Sequence, residues 1–195
     1  MSRVWKIIII LVSALSLFLI FRLFFMKYYY DFQEYWTLRD KIVWSESTKL
    51  KWSDFLNLND EKGHYSKVGL SARYNSDDPI LFRSKAVFIP KESYASDTTD
   101  LVNLRIAQAK FDLLEVYRRE MELEVDNLRK QKVDFYKPSD FKKMNERYYD
   151  MFDDEWQRFI DAENQMEYLE KIEKRIAQEL NYKQLTTIAI FYSFN

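Results

Sequence analysis

Residues 7–26 read IIIILVSALSLFLIFRLFFM, an apolar run whose single charge is Arg22. Coiled as a helix, such a run reaches about 30 Å, the hydrocarbon thickness of a bilayer, and predicts an N-terminal transmembrane helix. Arg3 and Lys6 precede the run, Lys27 follows it and Arg22 stands one turn from its end. These four cations are expected to mark the ends of the anchor, with long side chains extended toward the headgroups. Phe24, Phe25 and Tyr28 to Tyr30 suit the interface, where aromatic rings collect. A cleaved secretory signal has the same order of charge and apolarity, but bulky residues rather than a small-x-small site close this one, so it reads as an uncleaved signal anchor. The expected division is residues 1–30, an anchor with a short cytoplasmic tail, and residues 31–195, an extracytoplasmic domain placed in the periplasm.

Beyond the anchor the spacing of apolar positions changes twice. Residues 41–44, 49–52, 66–74, 80–82 and 85–89 are short runs rich in Val, Ile, Leu and aromatics, separated by turn-forming clusters at 57–63 and 75–79; they predict a small antiparallel sheet. From Thr99 the period becomes about 3.6: Leu101, Leu104, Ala109, Leu113, Val116, Met121, Val125 and Leu128 form one stripe of a long helix. Pro138 interrupts it, and Ser139 is expected to cap a second helix carrying Phe141, Met144, Tyr148, Phe152 and Phe159 on one side. Met166, Leu169, Ile172, Ile176 and Leu180 predict a third helix. Residues 187–194 then alternate, which predicts a closing strand with Ile188, Ile190, Tyr192 and Phe194 on one face. The fold class expected is α+β, a small antiparallel sheet packed on long helices.

Composition narrows the chemistry. Thirty Lys and Arg against thirty-one Asp and Glu give a formal charge of -1, and no basic face or stacking motif points to nucleic acid. Only two glycines occur, Gly63 and Gly69, which removes phosphate-cradling loops, dinucleotide fingerprints and the nucleophile elbow. There is no cysteine and one histidine, His64, so Cys-ligated zinc, a thiolate nucleophile and a two-His metal site cannot be built. No cofactor is expected.

Three patterns carry a resemblance. Residues 49–55, KLKWSDF, are similar to an L-x-W-x-D-F pattern; residues 86–94, AVFIPKESY, to F-x-P-x-x-S-W; residues 108–117, QAKFDLLEVY, to the helix H-E-Q-x-H-F-D-I-x-E-x-Y. In that order they resemble a family of secreted zinc-dependent peptidases of bacterial envelopes, which implies a zincin-like fold. In such an enzyme two imidazoles at i and i+4 meet one metal, and the Glu beside the first takes a proton from the bound water. Aligned through Phe111 and Asp112, those positions hold Ile106, Ala107 and Lys110, and the later ligand aligns with Arg158. Ile106 offers no lone pair, Ala107 no base, and Lys110 a cation that repels Zn²⁺. The resemblance therefore implies a degenerate scaffold, a pseudoenzyme. Trp52, Asp54 and Phe55 in the first pattern and Phe111, Asp112, Glu115 and Tyr117 on the helix are its retained framework. Lys110 is expected to fill the former metal position, paired with surrounding carboxylates.

Other candidates read more plainly as structure. His64 lies in a polar loop and takes no role. Ser139-Asp140-Phe141-Lys142 matches S-x-x-K, but the companion motifs of that enzyme class are missing. Asp150, Asp153, Asp154 and Glu155 spread over more than one helix face, as a solvated acidic surface does. Arg118, Arg119, Arg129, Lys130 and Lys132 are interleaved with Glu120, Glu122 and Glu124, which weakens any pull on anionic headgroups. The function expected is a non-catalytic, membrane-anchored accessory or interaction subunit, with lipid contacted through residues 7–26. Its partner is another envelope membrane protein or a second copy of the chain, met through the former active-site cleft and the closing strand. The alternative is a metal-independent hydrolase of glycans or peptides using carboxylates such as Asp112, Glu115 and Asp154.

Overall fold

A computed structural model describes residues 3–58, 63–74, 81–131 and 137–193, with the side chains of residues 3, 4, 7, 23, 24, 26, 27, 30, 58 and 181–193 left aside. The turn clusters at 59–62 and 75–79, Lys132, Phe194 and the side chains of Arg3 and Lys27 therefore lie outside the described residues. The chain divides into two compact units, Met1–Asp40 and Lys41–Asn195.

The first unit is one helix, α1 (Arg3–Leu38), with neither Gly nor Pro to interrupt it. At its C-terminal end the Arg39 guanidinium lies 3.6 Å from the centre of the Trp36 ring. Lys6 and Arg22 are exposed, as are the described apolar side chains between them. Among the described residues no helix is long and apolar enough to cross a membrane. The transmembrane helix expected over residues 7–26 is corrected by this finding. With it go the signal anchor bounded by Arg3, Lys6, Arg22 and Lys27, the lipid contact, and the single-pass placement with a periplasmic bulk.

The second unit is mixed helix and sheet. β1 (Ile42–Val43), β4 (Phe82–Phe88) and β3 (Val68–Tyr74) form an antiparallel sheet in the order β1-β4-β3, with Val68 opposite Phe88 and Tyr74 opposite Phe82. β4 shows why it sits there: Phe82, Ser84 and Ala86 are buried while Arg83 and Lys85 are exposed, the period of two of a half-covered strand. The two runs expected at 80–82 and 85–89 are thus one strand. Residues 49–52, expected as a strand, instead lead into a single 3-10 turn, Trp52–Asp54, because the Asp54 carboxylate accepts the backbone N–H of Lys51 at 2.8 Å. β2 (Asn57–Leu58) pairs in parallel with β5 (Tyr94–Ala95). Buried Ser93 ties this edge down, accepting the Lys67 N–H at 3.0 Å and donating to the Ile89 carbonyl at 2.8 Å.

Helix α2 (Leu101–Lys130) begins where the Asp100 carboxylate accepts the N–H groups of Val102 and Asn103, a side-chain cap on otherwise orphaned donors. It packs against the sheet and against both later helices. Burial all round its middle follows: Ala107, Phe111, Leu113, Leu114, Val116 and Met121 are each at most 3% exposed. α3 (Pro138–Ile160) places Phe141, Met144, Phe152, Trp156 and Phe159 in the core. Its cap is Lys137, whose N–H donates to the Asp140 carboxylate at 2.9 Å. Ser139 lies inside the first turn and is no cap; with proline at the first helical position the boundary falls one residue earlier. α4 runs Gln165–Ser193. The closing strand expected at 187–194 is corrected: the backbone there is helical to Ser193, because no Gly or Pro separates it from the Leu169, Ile172, Ile176 stripe and an established helix propagates. The alternation across Ile188, Ile190 and Tyr192 is too short to override it.

Candidate functional site

The middle of α2 carries both features of interest, Ile106, Ala107 and Lys110 on one flank and a carboxylate in a cleft on another. Ala107 is buried and Ile106 half-buried against the core. Lys110 turns toward the sheet: its Nζ donates to the Ser66 carbonyl at 3.0 Å and lies 5.0 Å and 5.5 Å from the ring centres of Tyr65 and Trp156. Burial pushes this ammonium down to about 8, partly opposed by the charge of Asp153. Among the described residues no carboxylate lies within salt-bridge distance, so the carboxylate shell expected for Lys110 is corrected. A carbonyl and two ring faces satisfy the cation instead. Arg158 is exposed on α3.

The framework residues have structural work of their own. Trp52 and Phe55 pack ring to ring at 5.0 Å, and Phe55 meets Phe88 at 5.0 Å. Glu115 is buried, and both of its oxygens are engaged: Arg118 forks onto it at 2.6 and 2.8 Å, and Arg119 donates at 2.8 Å. For Arg118, burial works against the charge, but Glu115 and Glu122 more than offset it and the guanidinium is held firmly protonated. The Tyr117 hydroxyl donates to Glu155 at 2.5 Å, and Arg175 of α4 bridges Glu155 and Glu179. Burial, followed by the bond to Glu155, pushes the Tyr117 hydroxyl up to about 12. One cation thereby joins α3 and α4 beside α2.

Asp112 is different. Its Oδ1 accepts the Trp44 indole N–H at 2.7 Å and the Gln108 amide at 2.9 Å, while Gln108 accepts the Leu50 backbone N–H at 2.8 Å. Together they latch residues 44–50 onto α2. The other oxygen has no protein donor among the described residues. Burial raises the Asp112 carboxyl above the usual carboxylate range; the Trp44 and Gln108 bonds and the charge of Lys49 pull the other way. Asp112 lines a cleft of about 530 Å³ between residues 44–49, α2 and α4. Trp44 and exposed Lys49 stand at one side, the Arg105–Glu173 pair at the other, and Ala109 and Ile176 form the floor.

Of the three carboxylates weighed for hydrolysis, only Asp112 lines this cleft; Glu115 is held by guanidinia and Asp154 is exposed on α3. Among the described residues no group of three or more His, Asp or Glu side chains could hold a metal ion. His64 is tied to the segment leading into α2, its Nε2 lying 2.9 Å from the Asp97 carbonyl. Trp44, Lys49, Arg105 and Glu173 form walls that the sequence did not single out. The Trp44–Asp112 and Arg105–Glu173 pairs each join residues 68 positions apart, and no local spacing announces such contacts.

No protein-family description, no curated protein and no solved structure matches the chain.

Proposed function

We propose that residues 41–195 form a non-catalytic binding module, an accessory domain that joins a partner protein or a second copy of the chain. The resemblance to zinc-dependent peptidases, with Ile106, Ala107 and Lys110 at the positions of the ligands and base, frames this reading. The observation that carries it is the seat of Lys110. An ammonium packed between the Ser66 carbonyl and the rings of Tyr65 and Trp156 stands at the position to which the resemblance assigns a metal ligand, and its charge repels a divalent cation. Beside it, Ala107 presents a buried methyl group, which takes no proton.

Purified full-length protein is to be assayed for bound zinc, for peptidase turnover, and for association by crosslinking with identification of the crosslinked protein. The expected result is no stoichiometric zinc, no chelator-sensitive turnover, and a defined complex that re-forms from purified components. Turnover abolished by a chelator and restored by zinc overturns the proposal, as does a monomer that crosslinks to nothing.

A further inference from the structure

The latch that holds residues 44–50 leaves one charge of the cleft unanswered. Both protein donors to Asp112, the Trp44 indole and the Gln108 amide, go to Oδ1, so Oδ2 has no protein partner among the described residues. A half-buried carboxylate in this condition has lost part of its hydration and gained two neutral N–H groups in return. The cation that acts on it, Lys49, is exposed and does so only through space.

The remaining charges of the walls are already engaged. Arg105 forks onto Glu173 with Nε at 2.7 Å and Nη2 at 2.5 Å, and Glu46 stands 3.8 Å from Arg119. Asp112 is therefore the charge in the interior of the cleft that no side chain of opposite sign meets directly, Lys49 balancing it only from the exposed rim. Below it buried Ala109 and Ile176 make an aliphatic floor, with Ala177, Leu180 and the Trp44 ring alongside. A cation alone would leave that apolar surface wet, whereas a neutral apolar group would leave the carboxylate dry and unpaired. A cation on an aliphatic stem answers both demands, because Arg and Lys bury their methylenes while the head finds a carboxylate.

We infer that this cleft receives a basic side chain, foremost an arginine flanked by apolar residues, from an extended segment of a partner protein, with the guanidinium bound to Oδ2 of Asp112. The inference rests on the reading of the domain as a binding module and names the chemistry of what it binds. Trp44 is held in place from two sides, since the Arg119 guanidinium lies 5.1 Å from the centre of its ring and its N–H is committed to Asp112. The wall is set before any ligand arrives, which reduces the ordering cost of binding.

The test is calorimetric titration of the full chain at low salt with acetyl-Leu-Arg-Leu-amide, and with the same peptide carrying neutral citrulline in place of arginine. One-to-one binding of the arginine peptide, at least tenfold tighter than the citrulline peptide, is expected. Asp112→Asn, which keeps the acceptor for Trp44 and Gln108, is expected to abolish that preference. Lys49→Glu, a change at the exposed rim, is expected to tighten the arginine peptide severalfold. Equal binding of the two peptides, no binding of the arginine peptide, or an undiminished preference in Asp112→Asn overturns the inference. If a crosslinked partner is retained equally by wild type and Asp112→Asn, the inference falls and the binding-module reading stands; chelator-sensitive turnover removes that reading itself.

Discussion

The indole N–H of Trp44 donates to Oδ1 of Asp112 at 2.7 Å, and Gln108, one helical turn before Asp112, donates to the same oxygen at 2.9 Å. The carboxylate is thus a structural acceptor on one oxygen and open on the other. Asp112→Ala leaves two donors without an acceptor in a partly buried site and is expected to cost about 1–3 kcal/mol, whereas Asp112→Asn keeps the acceptor and stays within about 1 kcal/mol of wild type. Urea unfolding of the three proteins at neutral pH checks the order.

The same carboxyl gives stability a pH dependence of definite sign. Burial raises its folded pKa above the unfolded one, so its favourable contribution is complete below the ordinary carboxylate range and is lost as pH rises through the raised value. Wild type is therefore expected to lose ground against Asp112→Asn as pH rises above the ordinary carboxylate range. Urea midpoints measured over that rise decide it; a constant difference counts against a raised Asp112.

Glu115 is the buried carboxylate that two guanidinia share. Glu115→Ala strips Arg118 and Arg119 of their common partner inside the fold and is expected to cost about 3–5 kcal/mol, as removal of one member of a buried pair does. Asp154→Ala, at an exposed position of α3, is expected to change stability by less than about 0.5 kcal/mol. Thermal unfolding monitored by circular dichroism compares the two, and similar losses would contradict the burial difference.

Much of the second unit is legible in the order of apolar and polar residues. The 3.6 period locates α2 because the stripe is long, whereas β4 reads as two runs, 80–82 and 85–89, because Arg83 and Ser84 interrupt its apolar residues. The closing strand fails for a definite reason: a short apolar run fits either period, and its outcome is set by the helix already running into it from Gln165. The apolar run at residues 7–26 reads as a membrane span in the sequence, but no described helix meets the length and apolarity a span requires. At the site, the motif residues Asp112, Glu115 and Tyr117 stand out in the sequence, yet what each does is set by residues that only folding brings near: Trp44 for Asp112, Glu155 and Arg175 for Tyr117. The motif places Lys110 among carboxylates; its carbonyl and ring partners come from the residues leading into β3 and from α3, which local spacing does not encode.

The cap of α3 can be tested by two neighbouring substitutions. The Asp140 carboxylate accepts the Lys137 N–H at 2.9 Å, while Ser139 makes no cap. Asp140→Ala is expected to destabilise by about 0.5–2 kcal/mol, combining the lost bond with the lost negative charge at the positive end of the helix. Ser139→Ala is expected to be neutral within about 0.5 kcal/mol. Chemical denaturation of both variants settles which residue begins the helix.

Lys110 supplies the prediction that bears most directly on the proposed non-catalytic reading. Burial lowers its ammonium to about 8, well below the ordinary lysine value, so the unfolded chain binds this proton more tightly than the folded one. A lowered folded pKa makes the contribution to stability fully present above the unfolded value and lost as pH falls through about 8. Between about pH 8 and pH 10 wild type should therefore gain stability relative to Lys110→Met, which keeps an apolar stem of similar length but carries no proton. The thioether cannot donate to the Ser66 carbonyl, so part of the gain at neutral pH from removing a buried charge is returned as an unpaired acceptor. The slope, not the absolute stability, is the diagnostic. Parallel slopes for wild type and Lys110→Met would place the ammonium in water, away from the carbonyl and the two rings.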